Sequence, residues 1–160
     1  MTNIDNNFVL SLSKEHKLIL ETLGEIDAIL KFTPQTEVAG KLKAVIEPFK
    51  AKLVEHQELE EKVIFKAALE SMPTETIISI VLRLQKEHGK FLADVEAIYF
   101  NLLHLSENTS LQRTIETNLS QLSTLIKKHA SVEVKELFPL ITNNSRCRQL
   151  IDQYSKKHTS

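Results

Sequence analysis

The stretch HASVEVKELFPL, residues 129–140, has the apolar spacing of an amphipathic helix, yet His129 and Glu133 stand where leucines should face the core. Extending the seam by alternating steps of three and four gives Ile115, Leu119, Leu122, Ile126, His129, Glu133, then Leu137 or its neighbour Glu136, then Leu140. Both polar residues are in register with the core. The same exchange occurs upstream, where the seam reads Leu42, Ile46, Phe49, Leu53, His56, Glu60, Val63 and Ala67. Two more seams carry one histidine each: Val9, Leu12, His16, Ile19, Leu23, Ile26 and Leu30, and Ile77, Val81, Leu84, His88, Phe91, Val95, Ile98, Leu102 and Leu105.

Punctuation divides the chain into four long helical patterns and a tail. The first runs from about Ser13 to Phe32 and stops before Thr33-Pro34, where Thr can cap and Pro can open the next helix. The second continues to about Glu70 with Pro48 inside it as an expected local kink, and Ser71-Met72-Pro73-Thr74 breaks it. The third spans about Glu75 to Leu105, SENTS turns the chain, and the fourth covers about Leu111 to Ile141. SRCRQLIDQYSKK reads as a short helix across one end. The expected fold is all-α: an up-down-up-down antiparallel four-helix bundle, one domain over 1–160 with the bundle at about 8–142 and a tail at 143–160.

Composition supports this class and excludes others. Among 160 residues there are 3 glycines and 4 prolines, a balance that favours helices with short turns. A formal charge of -1 gives no chain-wide basic field, so nucleic acid is not an expected partner. No apolar segment approaches the roughly 18–20 residues of a membrane span. Cys147 is the only cysteine, so no intrachain disulfide forms. The opening MTNIDNNFVLSLSKEH lacks a basic leader, and a cytoplasmic protein is the expectation.

Height along the bundle brings the polar seam positions together. His56 and His88 lie about equally far from the turn at 71–74, and at about 1.5 Å per residue they reach the same level in antiparallel helices. His88 and His129 fall within about one helical turn of each other, roughly 5 Å, and His16 within about two turns of His56. Buried unsatisfied polar groups cost about 1–3 kcal/mol each, so six of them consume most of a typical stability of about 5–15 kcal/mol. Metal ions satisfy imidazole and carboxylate donors together, and a carboxylate can bridge two ions.

KEH at 14–16, HQELEE at 56–61, KEH at 86–88, HASVE at 129–133 and ELFP at 136–139 resemble the hemerythrin-like, or HHE cation-binding, family. The resemblance covers about residues 8–142 and rests on the order H, HxxxE, H, HxxxE over four seams rather than on any one fragment. It implies an Fe-O-Fe centre in which His16 and His56 bind one iron, His88 and His129 the other, and Glu60 and Glu133 bridge them. Manganese or zinc are the less favoured metals. Oxygen-carrying members have a further histidine four residues after the third-helix one, where this chain has Leu92. They also place an aspartate five residues after the last histidine, whereas Glu133 comes at four. The pattern resembles the branch with four histidines and two glutamates, which includes iron-sensing, stress-response and peroxide- or nitric-oxide-handling members.

Coordination arithmetic agrees with that branch. Two histidines, two carboxylate oxygens and one bridging oxygen leave each iron about one position short of an octahedral six. Open positions on both ions favour chemistry with O2, peroxide or nitric oxide over protected oxygen carriage. Glu61, directly after Glu60, is an additional candidate ligand, and Glu58 a weaker one. Two alternatives stand beside an enzyme or a metal sensor: a reversible O2 carrier, and a non-catalytic, anti-sigma-like bundle that binds a protein partner. The charged faces, such as KKHASVEVKE, are mixed in sign and give the latter no conspicuous docking surface. His104 and His158 fall outside the seams, and Phe49, Phe65, Phe91 and Phe138 read as core filling.

Overall fold

The computed structural model describes residues 3–159, with side chains over 8–158; the outermost positions of the domain expected at 1–160 lie outside the described residues. Five helical stretches and no strand occur among them. Helix α1 is Asn3–Phe32, α2 occupies residues 35–71, α3 is Glu75–Leu103, α4 occupies residues 111–142, and α5 is Ser145–Thr159. Helix α1 starts well before the expected Ser13, and Phe8, Val9 and Leu12 use the added turns to pack on the core.

Helix α1 packs beside α2 and α4, and α3 beside the same two, the neighbour pattern of an up-down-up-down bundle. Thr74 caps α3, its hydroxyl accepting from the Ile77 N–H at 3.2 Å. At the start of α2 it is Pro34, rather than Thr33, that holds the cap position, in extended conformation and without a side-chain bond. The helix continues through Pro48, which is exposed, as is Ala44 four residues earlier. The carbonyl that Pro48 frees therefore lies on the wet side of α2.

Two turns depart from regular α geometry. In α2 residues Glu60–Phe65, and in α4 residues Glu133–Leu137, form π turns. Each begins at the glutamate of an HxxxE motif. The extra residue in the wider turn advances the α4 seam by one, so Leu137 and Ile141 are buried while Leu140, expected in the seam, is 40 % exposed. Pro139 follows directly; its ring would clash with the Lys135 carbonyl in a regular helix, and the wider turn precedes that point.

The core is split in two. Ile26, Leu42, Leu53, Phe91, Ile98, Leu122 and Ile126 belong to the larger half. Leu12, Phe65, Ala67, Val81, Leu84, Leu137 and Ile141 belong to the smaller, which α5 covers with Cys147, Leu150 and Ile151. Between the halves lie the buried polar residues His16, His56, Gln57, Glu60, His88, His129 and Glu133.

Candidate metal centre

Each bundle helix contributes to the polar layer: His16 from α1, His56 and Glu60 from α2, His88 from α3, His129 and Glu133 from α4. Both glutamates are 0 % exposed, and no histidine of the four exceeds 6 %. Ring centroids are 4.7 Å apart for His16 and His56, and 4.8 Å apart for His88 and His129. Glu60 Oε1 lies 2.9 Å from His56 Nε2 and 3.3 Å from His88 Nε2. Glu133 reaches His129 Nε2 at 2.6 Å through Oε1 and His16 Nε2 at 3.1 Å through Oε2. Each carboxylate thus touches the histidine of its own helix and that of the next helix round the bundle.

The outer ring nitrogens explain how the inner ones are set. His56 Nδ1 is 3.1 Å from Glu15 Oε2, His88 Nδ1 3.3 Å from Glu61 Oε1, and His129 Nδ1 3.0 Å from Glu87 Oε1. A carboxylate there accepts the Nδ1 proton, so the neutral ring turns an Nε2 lone pair inward. His88 and His129 then aim two lone pairs at each other across 3.2 Å. His56 Nε2 and His129 Nε2 likewise face oxygens of Glu60 and Glu133, at 2.9 and 2.6 Å. Two imidazole lone pairs 3.2 Å apart repel each other unless a proton or a cation stands between them.

Hydrogen-bond bookkeeping agrees. Both nitrogens of His16, Nε2 of His56 and all four oxygens of Glu60 and Glu133 are buried without a hydrogen-bond partner. The separations between the histidine Nε2 atoms and the oxygens of Glu60 and Glu133 are close in distance but not aimed as hydrogen bonds. Two groups converge tightly enough to hold an ion each: Glu60, His88, His129 and Glu133, and His16, His56 and Glu60, with donor atoms within 4.8 Å of one another in each group. Glu60 belongs to both. The donor set of imidazole and carboxylate suits iron, manganese or zinc.

The metal-free layer is electrostatically divided. Burial pushes His16 down to about 4. Burial also works against charge on His56, but Glu15 and Glu60 outweigh it and push that ring up to about 9. Burial raises Glu133 well above the usual carboxylate range, helped by the charge on Glu60. Glu60 is held well below that range, because the side chains of Glu133, His56 and His88 outweigh the burial that would raise it.

A pH dependence of the metal-free protein follows. His56 binds its proton more tightly folded than unfolded, so its stabilisation is complete below about pH 6.5 and is lost as pH rises toward 9. His16 refuses a proton that the unfolded chain accepts, so stability is lost as pH falls from about 6.5 toward 4. Glu60 contributes stability that is lost as pH falls below the usual carboxylate range, whereas Glu133 holds its proton above that range and costs stability as pH rises, in the same sense as His56. Urea denaturation of chelated protein is expected to show maximal stability near pH 6.5, lower by on the order of 3 kcal/mol at pH 9. A profile that keeps rising from pH 6.5 to 9 contradicts this assignment of charges.

The layer brings together all six residues expected from the seams. Glu61 lies apart from them, half-exposed on the outer edge of the His88 ring, and Glu58 is exposed beside Lys62. His104 sits at the far end of α3 beside Glu107. Sequence reasoning missed the roles of Glu15 and Glu87, although both stood in view in the KEH motifs. Each serves the histidine of the neighbouring helix rather than the one it precedes, a relation that spacing along one helix does not reveal. It also missed Gln57, whose buried amide donates to the His88 carbonyl at 3.2 Å. Phe65 stacks on His88 at 5.6 Å and Phe91 meets His129 edge-on at 5.1 Å, so both shield the layer.

Residues 7–141 match the model of the hemerythrin HHE cation binding domain. No curated protein and no solved structure matches the chain. Among the described residues no helix is long and apolar enough to cross a membrane.

Proposed function

This chain belongs to the hemerythrin family of HHE cation-binding domains, and on that premise we propose that its polar layer is a non-haem di-iron centre handling or sensing O2, peroxide or nitric oxide. The observation that carries the reading is the set of seven orphaned buried donor atoms drawn from three helices into one layer. His16 and His56 would hold one ion and His88 and His129 the other, with Glu60 and Glu133 shared between them. When bound, the ions supply redox chemistry toward small diatomic or peroxidic ligands.

The chain's own contribution is orientation and exclusion of water. Glu15, Glu61 and Glu87 fix the tautomer of three imidazoles and raise their basicity. Glu61 in this role orients His88 and is not a direct ligand. Phe65 and Phe91 cover the rings of His88 and His129, and the layer's own side chains, with Leu53, Phe91 and Ile126, enclose a cavity of about 10 Å³. Leu92, where oxygen carriers have a fifth histidine, packs against the larger core half.

The test is metal content by mass spectrometry with the visible absorption spectrum, wild type beside the His56→Ala, Glu133→Ala double variant. About two irons per chain with charge-transfer bands, both lost in the variant, support the reading. A purified protein that takes up no metal on supplementation, with its fold unchanged, moves the function to the protein-binding alternative.

A further inference from the structure

The carboxylates on the outer ring nitrogens follow a rule that runs round the bundle. Glu15 of α1 serves His56 of α2, Glu61 of α2 serves His88 of α3, and Glu87 of α3 serves His129 of α4. Closure requires α4 to serve His16 of α1. The position that would do so is defined by correspondence between the hairpins. Glu60 touches the next helix's histidine, His88, and the following residue, Glu61, reaches that ring's Nδ1. Glu133 touches the next helix's histidine, His16, and the following residue is Val134. Both glutamates open a π turn, and Val134 is 47 % exposed, much as Glu61 is half-exposed.

The ring is therefore broken at one place. His16 Nδ1 is buried and has no partner, the only such outer nitrogen among the four histidines. Two further asymmetries fall on the same half. The rings of His88 and His129 are covered by Phe65 and Phe91, whereas His16 and His56 make ring contact with each other only, among the described residues. A cleft of about 160 Å³ between α1 and α2, lined by Glu15, Phe49, Lys52, Glu55 and His56, opens onto that half from outside.

We propose that the His16/His56 half is the labile half of the centre, its ion binding second and leaving first, and that Val134 sets this difference by withholding a carboxylate from His16. The inference rests on the di-metal reading of the layer. An outer-nitrogen carboxylate is typically worth about 10–100-fold in metal affinity, because it fixes the tautomer and raises ligand basicity. Val134 is a positioning residue by omission. Its exposure lets glutamate replace it without disturbing the core.

The experiment is anaerobic titration of the metal-free full chain with Co(II), followed by ligand-field absorption and chelator competition. Wild type is expected to bind two ions in steps at least about tenfold apart. Val134→Glu is expected to tighten the weaker step by about tenfold and leave the stronger unchanged, while Val134→Leu alters neither. His16→Ala is expected to abolish the weaker step and retain one tightly bound ion. Two ions bound in equal steps, or a Val134→Glu chain with its weaker step unmoved, overturns the inference while leaving the di-metal reading intact. Wild type that binds no Co(II) overturns both.

Discussion

Glu60→Ala is expected to abolish binding of both metal ions, lowering metal content from about two per chain to near zero. The expectation comes from the position of the side chain: it is fully buried, it touches His56 and His88, and it is the one residue shared by both donor groups. Loss of His88 or His129 removes a donor from one group, whereas loss of Glu60 opens both. Glu60→Gln separates charge from packing, since the amide keeps the volume but cannot bridge two cations as an anion does. Its metal content should fall nearly as far, with far-ultraviolet circular dichroism unchanged. Full metal occupancy in the glutamine variant would show that the imidazoles alone hold the ions, and the bridging role would have to be abandoned.

The second large effect concerns stability. A ligand bound only by the folded state adds about 4 kcal/mol at a free concentration 1,000 times its dissociation constant. For a chain of this size each kcal/mol moves Tm by about 2–4 °C, so chelation is expected to lower Tm by about 8–16 °C. Replacing the layer outright should do the reverse. With His16, His56, His88 and His129 changed to leucine and Glu60 and Glu133 to methionine, the two core halves merge across an apolar layer. Unbranched methionines can follow the π turns. Exchanging buried charged groups for packed apolar ones commonly gains about 1–4 kcal/mol. The variant should be more stable than chelated wild type by at least that much and indifferent to chelators. Urea unfolding decides it: a variant weaker than chelated wild type would mean that the six side chains already satisfy one another, removing the physical case for metal.

Most of this centre was legible from the chain because bundle seams obey a fixed period. His16, His56, His88 and His129 each occupy a position where a leucine would serve, and antiparallel helices of matched length carry those positions to one level. Spacing within a helix therefore located the layer. What escaped was set by relations between helices. Glu15 and Glu87 look like ordinary surface residues in KEH, and only the neighbour's ring gives them a purpose. The π turns escaped for a different reason. A seam traced at α-helical period cannot register one surplus residue, so Leu140 was placed inward although Ile141 takes that position. Pro139 held a partial signal, since a proline deep in a helix requires some local relief; nothing comparable marks the turn at Glu60–Phe65.

The circuit of carboxylates from one helix to the next bears on topology as well as chemistry. Four amphipathic helices joined by short turns can wind round their axis in either sense, and apolar packing alone discriminates poorly between the two. Here Glu15, Glu61 and Glu87 all reach in the same rotational direction. In the oppositely wound arrangement each would face away from its ring and three imidazoles would be stranded. The same side chains that orient the histidines therefore favour this hand of the bundle over the other.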